Sequence, residues 1–450
     1  MVDLRYLDLF AGAGGLSEGF TMAGFLPVAH IELDKAACYT LKTRVAYHWL
    51  KKHGQLRIYN AYLNGQISRN DLYQNVPDNV LDSVINCEIS SKTLEALFQR
   101  IDSILNGKHL HLIIGGPPCQ AYSLIGRARD AHGMVGDERN YLYKLYAEFL
   151  KRYKPDYFVF ENVSGLLSAK EKNGERHFDH MRKLFRECGY ETETKLLNAR
   201  NYGVLQNRKR LILIGKHGAK NGENFYPYIE EKSTDHYTVG ELLDDLPAIH
   251  SGEGKFQPVP TKHYGGRYLF DVGIKTYDHE PVTFHCARPN NSHDLEIYRL
   301  VVDAWNKKGI RLKYTDLPDY LRTHHNIKSF LDRFKVVVRN SSYTQTVVAH
   351  LAKDGHYFIH PDITQNRSIT PREAARIQTF PDNFYFESVS GRPSRTYAFK
   401  QIGNAVPVYL AYSIAKAIRQ CFEHPDSYVK DTDHIIMYSE FDEESSLFDG

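Results

Sequence analysis

Hydrophobic and polar positions follow two alternating patterns in the first half of the chain. Longer amphipathic segments, such as 141–153 and 178–188, have the spacing of helices that bury one face. Short and almost uniformly apolar runs predict buried strands at 5–10, 27–32, 109–114, 157–160 and 210–215. Apolar strands separated by helices indicate an α/β fold with a mostly parallel sheet, whose ligands bind beyond the carboxyl ends of the strands.

The pattern changes between residues 217 and 345. Gly, Pro, Tyr and His become frequent and the apolar periodicity weakens, apart from a helix-like stretch at 238–249. This segment predicts a second, smaller and loop-rich domain. Two helices follow it: one begins at the capping box Thr370-Pro-Arg-Glu and ends near Thr379, and the other covers 404–419 with one broad apolar face.

Composition excludes several classes of protein. The chain has 450 residues, of which 42% are hydrophobic and 25% charged, as in ordinary globular proteins and unlike disordered or collagen-like chains. Its six cysteines form no Cys-x-x-Cys pair, so we expect reduced thiols, a cytosolic compartment and no metal site. The start lacks the apolar stretch of a signal peptide, and no run approaches the roughly 18 apolar residues of a membrane span.

The net charge of +3 conceals regions of opposite sign. Segment 217–253 has a net charge of −6 and segment 254–345 has +6. The last segment, 426–450, holds eight acidic residues and one basic residue, so the preceding chain carries +10. Such a basic body suits nucleic-acid phosphates. Two interpretations of the acidic tail remain open: a plain disordered end, or a segment that competes with nucleic acid for a basic cleft.

A glycine-rich turn follows the first strand. Gly12, Gly14 and Gly15 let the backbone approach a ligand, and the helix after them presents free N–H groups. Glu32 lies 18 residues after Gly14, at the end of the next strand, where a carboxylate suits the two hydroxyls of a ribose. The pairing predicts an adenosine-containing cofactor, although glycine turns also serve tight packing.

A cysteine follows the strand at 109–114, in the sequence Gly115-Gly-Pro-Pro-Cys119. The two glycines and two prolines fix the path of this loop, and a thiol at the mouth of a parallel sheet is well placed to act as a nucleophile. A buried structural thiol is the alternative, since free cysteines are usually buried. The rigid presentation favours the nucleophile.

Two polar clusters adjoin other strands of the predicted sheet. Glu161-Asn-Val163 follows the strand at 157–160, where it acts either in chemistry or as a helix cap. Gln206, Arg208 and Arg210 precede the strand at 211–214 and share one face if the run is extended. The arginines suit an anionic or carbonyl-rich ligand, or they form a solvated basic edge.

In this order, these clusters resemble the motifs of the DNA (cytosine-5) methyltransferases over about residues 4 to 420. Gly-Gly-Pro-Pro-Cys-Gln resembles the family's catalytic loop, Glu-Asn-Val its glutamate motif and Gln-x-Arg-x-Arg its paired arginines. Phe10-Ala-Gly-Ala-Gly-Gly15 with Glu32 resembles its S-adenosylmethionine site, and Gln401 to Pro407 the closing motif that returns to it. Segment 367–382 resembles the motif that braces the recognition domain.

The resemblance implies a Rossmann-like, S-adenosylmethionine-dependent domain with a mixed, mostly parallel sheet, plus a smaller target-recognition domain. We expect the catalytic domain at 1–216 and 396–425, the recognition domain at 217–395 and the tail at 426–450. The counterpart of the family's adenine-contacting acidic residue is Glu88, followed by Ile89. The 55 residues between Glu32 and Glu88 are a long span for the family, so we expect an insertion at 44–82.

The resemblance also implies roles for individual residues. Cys119 would attack carbon 6 of cytosine, and Glu161 would donate or share a proton at ring nitrogen 3. Arg208 and Arg210 would hold the base carbonyl and a phosphate, and Arg210 is favoured for the base. The expected cofactor residues are Phe10, Ala11, Gly12, Gly14, Gly15, Leu16, Glu32, Leu33, Glu88, Ile89, Asn404, Ala405 and Val406. The expected substrate-binding residues are Pro118, Gln120, Ser123, Asn162, Val163 and Gln206.

The expected partner is double-stranded DNA, with most contacts from 254–345, and the expected state is a monomer in a prokaryotic cytoplasm. A cognate restriction nuclease or another defence component is a further expected partner. Three rival interpretations are an RNA cytosine-5 methyltransferase acting on tRNA, a DNA-binding protein without activity, and a nicotinamide dehydrogenase. The last leaves the Pro-Pro-Cys and Gln-x-Arg-x-Arg segments unexplained.

Overall fold

A seven-stranded sheet forms the centre of the molecule. The computed structural model describes residues 3–118, 141–170 and 174–431. The strands of the sheet are β1 (Arg5–Leu9), β2 (Leu26–Glu32), β3 (Val84–Asn86), β4 (Leu112–Gly115), β5 (Tyr157–Asn162), β6 (Tyr190–Asn198) and β7 (Lys209–His217).

The strand order is β3-β2-β1-β4-β5-β7-β6. All pairs from β3 to β5 are parallel, whereas β7 runs antiparallel to both β5 and β6. The predicted α/β fold with a mixed, mostly parallel sheet is therefore confirmed. Because β1, β4 and β5 are adjacent and parallel, their carboxyl ends meet at one edge of the sheet.

Helices surround this sheet, and within the described ranges none is long and apolar enough to cross a membrane. The helices before β7 are α1 (Gly15–Met22), α2 (Lys35–Lys52), α3 (Leu56–Leu63), α4 (Arg69–Gln74), α5 (Asp78–Leu81), α6 (Leu94–Leu105), α7 (Leu142–Tyr153) and α8 (His177–Glu187). Those after it are α9 (Tyr268–Asp271), α10 (Ser292–Lys308), α11 (Ile327–Phe330), α12 (Pro371–Ile377), α13 (Arg395–Asn404) and α14 (Val408–Glu423).

The two faces of the sheet belong to two hydrophobic clusters, which explains the uniformly apolar strands. Successive side chains on a strand point to opposite faces. Ile114 and Ile212 belong to one cluster, and their neighbours Ile113 and Leu213 belong to the other. With helices on both faces, the middle positions of β1, β4 and β7 are buried.

Several elements differ from the expectations. β3 has only three residues, and β6 contains the polar run Glu-Thr-Glu-Thr at 191–194, so neither has the apolar run that would predict a strand. The last helix starts at Val408 rather than at 404, because Ala405 is extended and Pro407 forms the N-cap. The helix expected at 238–249 is one 3-10 turn, Val239–Leu242.

The predicted insertion at 44–82 contains the second half of α2 and all of α3, α4 and α5. It packs against the segment that follows α12. The Tyr62 hydroxyl donates to the buried carboxylate of Glu387 at 2.5 Å, and Arg69 donates to the carbonyl oxygen of Ser388 at 2.8 Å. These helices therefore form part of the body of the molecule.

A buried charge network joins α12 to the region after β7. Arg376 on α12 donates to Asp245 at 2.5 Å and to Asp382 at 2.7 Å, and Lys275 lies 3.0 Å from Asp245. All four side chains are essentially inaccessible to solvent. The predicted capping box at Thr370 is present at the start of α12. The bracing segment thus holds residues 245–275 through paired charges.

The region after β7 contains a second, two-stranded sheet of β8 (Gly254–Lys255) and β9 (His285–Cys286), which are antiparallel. A separate hydrophobic cluster surrounds α10 and includes Val301 and Phe334. Near the end of the described chain, the amide of Tyr228 donates to the carbonyl of Val429. The first residues of the acidic tail segment are therefore attached to the body.

Candidate active site

The loop after β4 begins at the carboxyl edge of the sheet, where two glycines permit very close contacts. Gly115 has φ +145°, and a Cβ there would lie 2.0 Å from the carbonyl oxygen of Leu9 on β1. A Cβ on Gly116 would lie 2.3 Å from the carbonyl oxygen of Glu161 and 2.7 Å from its Oε2. The loop therefore passes directly over the end of β5, and any side chain at these positions would displace it.

Asn162 attaches this loop to β5. Its buried amide Nδ2 donates to the carbonyl oxygen of Pro117 at 3.3 Å, and its Oδ1 accepts from the amide of Val163 at 2.9 Å. Pro118 is exposed, as suits a residue facing a ligand. Asn162 thus positions the start of the loop.

Cys119, Gln120 and Ser123 lie outside the described residues, and their roles stay predictions. The cysteine is one residue beyond the exposed Pro118.

Glu161 and Arg210 form an ion pair beside the loop. Arg210 Nε lies 2.7 Å from Glu161 Oε1, and the two side chains are 13% and 16% exposed. They are brought together because β5 and β7 are antiparallel neighbours, with Glu161 opposite Ile212. Burial raises the pKa of Glu161, while the charges of Arg210 and Arg208 oppose that shift. A carboxyl group with a raised pKa can hold a proton nearer neutral pH.

Arg208 and Gln206 do not face the open edge. The guanidinium of Arg208 is buried and donates to the carbonyl oxygens of Val347 and Ala405, at 2.6 and 2.8 Å. The amide of Gln206 is also buried and bonds to Gln378 at 2.8 Å. In this structure both side chains connect protein segments, so only Arg210 of the predicted arginine pair contacts Glu161.

The glycine turn and Glu32 meet at the ends of β1 and β2. Gly12 and Gly14 have φ of +55° and +87°, and Phe10 also adopts a left-handed conformation. The carboxylate of Glu32 accepts from the amides of Gly12 and Asp34, at 2.8 and 2.7 Å. A Cβ built on Gly12 would meet nothing within 4 Å, so the turn borders open space.

Other predicted cofactor residues follow the ends of β2 and β3. Leu33 is 63% exposed, although it is large and apolar. Glu88 is exposed beyond the end of β3, and Ile89 is buried behind it. Sequence reasoning missed Asn86, whose amide donates to the carbonyl oxygens of Glu32 and Leu33 and so fixes the peptide between them. An asparagine at the end of a strand is the only signal that could have suggested it.

The closing motif lies against the start of α1. A Cβ on Gly15 would lie 2.5 Å from the carbonyl oxygen of Val406 and 3.0 Å from Cβ of Ala405. Asn404 is exposed at the end of α13. Segments almost 400 residues apart in the chain therefore meet, as the resemblance implies. Ala11, Gly15 and Leu16 are buried at the start of α1 and in the turn before it.

Comparison with known proteins agrees with this arrangement. The model of the family described as C-5 cytosine-specific DNA methylase matches residues 4–67 and 98–420. Type II methyltransferase M.Bpa9945I of Bacillus paralicheniformis is 38% identical over 448 residues, covering 92% of this chain and 98% of its own. Type II methyltransferase M.XorII of Xanthomonas oryzae is 31% identical, covering 93% of this chain and 86% of its own.

Solved structures share the fold. A prophage-encoded DNA modification methyltransferase from E. coli superimposes with a TM-score of 0.59 at 20% identity, covering 94% of this chain and all of its own. The Entamoeba histolytica methyltransferase EhMeth gives 0.51 at 13% identity, covering 95% of this chain and all of its own. The family match omits 68–97, so the roles of Glu88 and Ile89 stay predictions. The chain belongs to the C-5 cytosine-specific DNA methylase family and is a DNA cytosine-5 methyltransferase.

Proposed function

We propose that this enzyme transfers the methyl group of S-adenosylmethionine to carbon 5 of a cytosine flipped out of a specific duplex DNA sequence. The observation that carries the proposal is the Glu161–Arg210 pair, 2.7 Å apart, beside the glycines of the Pro-Pro-Cys loop. A carboxyl group with a raised pKa and a guanidinium form a pair of groups suited to the nitrogen and carbonyl of a pyrimidine.

The cofactor would be held at the glycine turn. Gly12 borders open space, Glu32 is fixed by two amides for contact with a ribose, and Leu33 offers exposed apolar surface. Asn404 and the backbone of Val406 would close the site from the other side. When bound, S-adenosylmethionine supplies an electrophilic methyl group. These residues fit its charged, hydroxylated and apolar parts.

Carbon 5 of neutral cytosine is a poor nucleophile, so the protein must first change the ring. The thiolate of Cys119 forms a bond to carbon 6, and the displaced electron pair moves towards ring nitrogen 3. Glu161 gives or shares its proton at that nitrogen, which makes carbon 5 enamine-like and able to take the methyl group. Loss of the carbon 5 proton then expels the thiolate and restores the aromatic ring.

The two arginines have separate roles in this proposal. Arg210 orients Glu161 through Oε1 and holds the base carbonyl. Arg208, directly before β7, positions the site by joining that segment to the closing motif through the carbonyl oxygen of Ala405. This division refines the paired role that the resemblance implies for them.

DNA is the proposed macromolecular partner. A cytosine stacked in a duplex is beyond the reach of a protein thiol, so it must be extruded, at a cost of a few kcal/mol. The positive segment 254–345 would supply most phosphate and base contacts. The two relatives of this protein described above are named type II methyltransferases. We infer that the enzyme acts as a monomer in a prokaryotic cytoplasm, beside a restriction nuclease or another defence component.

Bisulfite sequencing of DNA from cells expressing the protein tests the reaction and reveals the recognition sequence. Purified protein should also place labelled methyl groups on carbon 5 in duplex DNA and not on tRNA. Cys119→Ser should abolish transfer while DNA binding remains. Cys188→Ser is the matched control, because that half-buried thiol lies beyond α8.

Duplex DNA with 5-fluorocytosine at the target should trap the protein covalently, because fluorine cannot leave carbon 5 as a proton does. Trapping should require Cys119. Methyl transfer by Cys119→Ser at the wild-type rate would contradict the covalent route. Methylation of tRNA in place of duplex DNA would contradict the proposed substrate.

A further inference from the structure

An antiparallel hairpin outside the methyl-transfer site brings two histidines and an aspartate together. Lys255 on β8 pairs with His285 on β9, and Val259 pairs with Val282 further along. Further out, the amide of Tyr264 donates to Asp278, and His263 lies beside the same carboxylate. The two chain segments at this end of the hairpin are 261–264 and 276–280.

The two carboxylate oxygens of Asp278 have different surroundings. Oδ1 accepts from the backbone amides of Tyr264 and His279, both at 3.0 Å. Oδ2 lies 2.5 Å from Nδ1 of His263 and 3.6 Å from Nε2 of His279. The backbone therefore holds the aspartate in place, and its remaining oxygen faces both imidazoles.

The orientation of His279 is set by a backbone carbonyl. Its Nδ1 lies 3.2 Å from the carbonyl oxygen of Thr261. A carbonyl oxygen only accepts hydrogen bonds, so Nδ1 carries the proton and the neutral ring has its lone pair on Nε2. That lone pair faces Oδ2 of Asp278. A hydrogen bond from the second ring nitrogen to a carbonyl is the usual support of a metal-binding histidine.

We propose that His263, Asp278 and His279 bind a transition-metal ion of the Zn²⁺ type. Zinc lies about 2.0–2.2 Å from imidazole nitrogen and carboxylate oxygen, so two ligand atoms at the tetrahedral angle are about 3.4 Å apart. The observed separation of 3.6 Å between His279 Nε2 and Asp278 Oδ2 is close to this value. All three ligand atoms lie within 4.8 Å of one another, and His263 needs to withdraw by about 1 Å.

The type of ligand and the exposure of the site agree with this choice. Two imidazoles and one carboxylate suit borderline metals such as zinc, whereas Mg²⁺ prefers oxygen ligands. The side chains of His263, His279 and Asp278 are 74%, 62% and 31% exposed, so an ion can enter and water can complete its coordination. Sequence reasoning missed the site because its ligands come from separate segments and include no cysteine.

The bound ion would fasten the hairpin that carries part of the buried charge network. Lys275 donates to Thr261 Oγ1 at 2.8 Å and also contacts Asp245, the partner of Arg376 on α12. A clip between 261–264 and 276–280 therefore stabilises the region held by the bracing segment. It contributes no group to the methyl-transfer edge.

Isothermal titration of the chelator-treated, full-length protein with Zn²⁺ tests the proposal. His263→Ala and His279→Asn should each weaken binding at this site by at least about tenfold. Asparagine tolerates the left-handed backbone of residue 279, φ +58°, so the second variant removes the ligand without backbone strain. His250→Ala is the matched control, because His250 pairs with Glu253 at 3.0 Å in an equally exposed place.

Zn²⁺ should raise the midpoint of thermal unfolding of the wild type and of the His250→Ala control. It should leave the midpoints of His263→Ala and His279→Asn unchanged. Millimolar Mg²⁺ should not displace it. Equal Zn²⁺ affinity and stoichiometry in the wild type, His263→Ala and His279→Asn would overturn the proposal. An equal loss in His250→Ala would also overturn it, because binding would then come from scattered surface histidines.

Discussion

Gly116→Ala tests whether the catalytic loop needs its close approach to Glu161. The added Cβ would lie 2.3 Å from the carbonyl oxygen of Glu161 and 2.7 Å from its Oε2. Gly116 does not have a left-handed φ, so alanine meets no backbone penalty there. Any effect therefore comes from the contact itself.

The size of the effect follows from these distances. Ordinary contacts of a Cβ begin at 3.4 Å, so the atoms must separate by about 1.1 Å at the carbonyl and about 0.7 Å at the carboxylate. The carbonyl belongs to β5, which is paired on both sides, so the loop moves instead. A misplacement of about 1 Å lowers the rate of a positioned reaction about 100-fold, which is about 2.7 kcal/mol in the barrier. Overpacking should cost about 1–3 kcal/mol of stability.

Single-turnover methyl transfer at saturating cofactor and duplex DNA measures the chemical step, and thermal unfolding measures stability. Gly265→Ala is the matched control, since its Cβ would meet no atom within 4 Å and its φ is not left-handed. We expect the control to match the wild type in both measurements. A Gly116→Ala enzyme that transfers methyl groups within twofold of the wild-type rate would refute the argument that this contact positions the loop.

Three further predictions concern charged groups. Arg376→Ala should lower the free energy of unfolding by about 3–5 kcal/mol in denaturant titrations, because it leaves buried carboxylates unpaired. Arg339→Ala breaks an exposed ion pair of the same length with Asp244 and should lower the free energy of unfolding by less than about 1 kcal/mol. Arg208→Lys should mainly lower stability, and Arg210→Lys should mainly lower the transfer rate; the reverse outcome would exchange their roles. Burial raises the pKa of Glu161 above its ordinary 4.5, so this carboxyl group binds more protons in the folded state than in the unfolded state. The stability of the wild type relative to Glu161→Gln should therefore fall as pH rises through that raised pKa. A difference in unfolding midpoint that does not change with pH would contradict this prediction.

The central strands were predictable because each is buried on both faces. Leu112–Gly115 and the apolar part of Tyr157–Asn162 have no polar alternation, and that pattern identifies a covered parallel sheet. Tyr190–Asn198 escaped prediction because it is an edge strand, where Glu191 and Lys195 can reach solvent. The antiparallel orientation of β7 relative to β5 and β6 also has no local sequence signal, since contacts distant in sequence set the direction of a strand.

The site was predictable where its chemistry is local. Glu161 follows the end of the apolar run, and the glycines of 115–116 directly follow another, so their place at the carboxyl edge needed only the fold class. The contacts that complete the site are not local. Asn86 reaches back 54 residues to the carbonyl of Glu32, and Arg208 reaches 197 residues forward to Ala405. No spacing rule identifies such partners.

Arg208 and Arg210 have different surroundings because the strand begins between them. Side chains 208 and 210 share a face only if both lie in the strand, but β7 begins at Lys209. Arg208 lies before that start, in a segment that pairs through Gln206 with Thr344, and its guanidinium turns into the interior. The buried charge of Arg208 and the charge of Arg210 both lower the pKa of Glu161, which opposes the effect of burial. The motif therefore supplies one arginine that contacts the glutamate and another that influences it through its charge and holds the backbone of neighbouring segments.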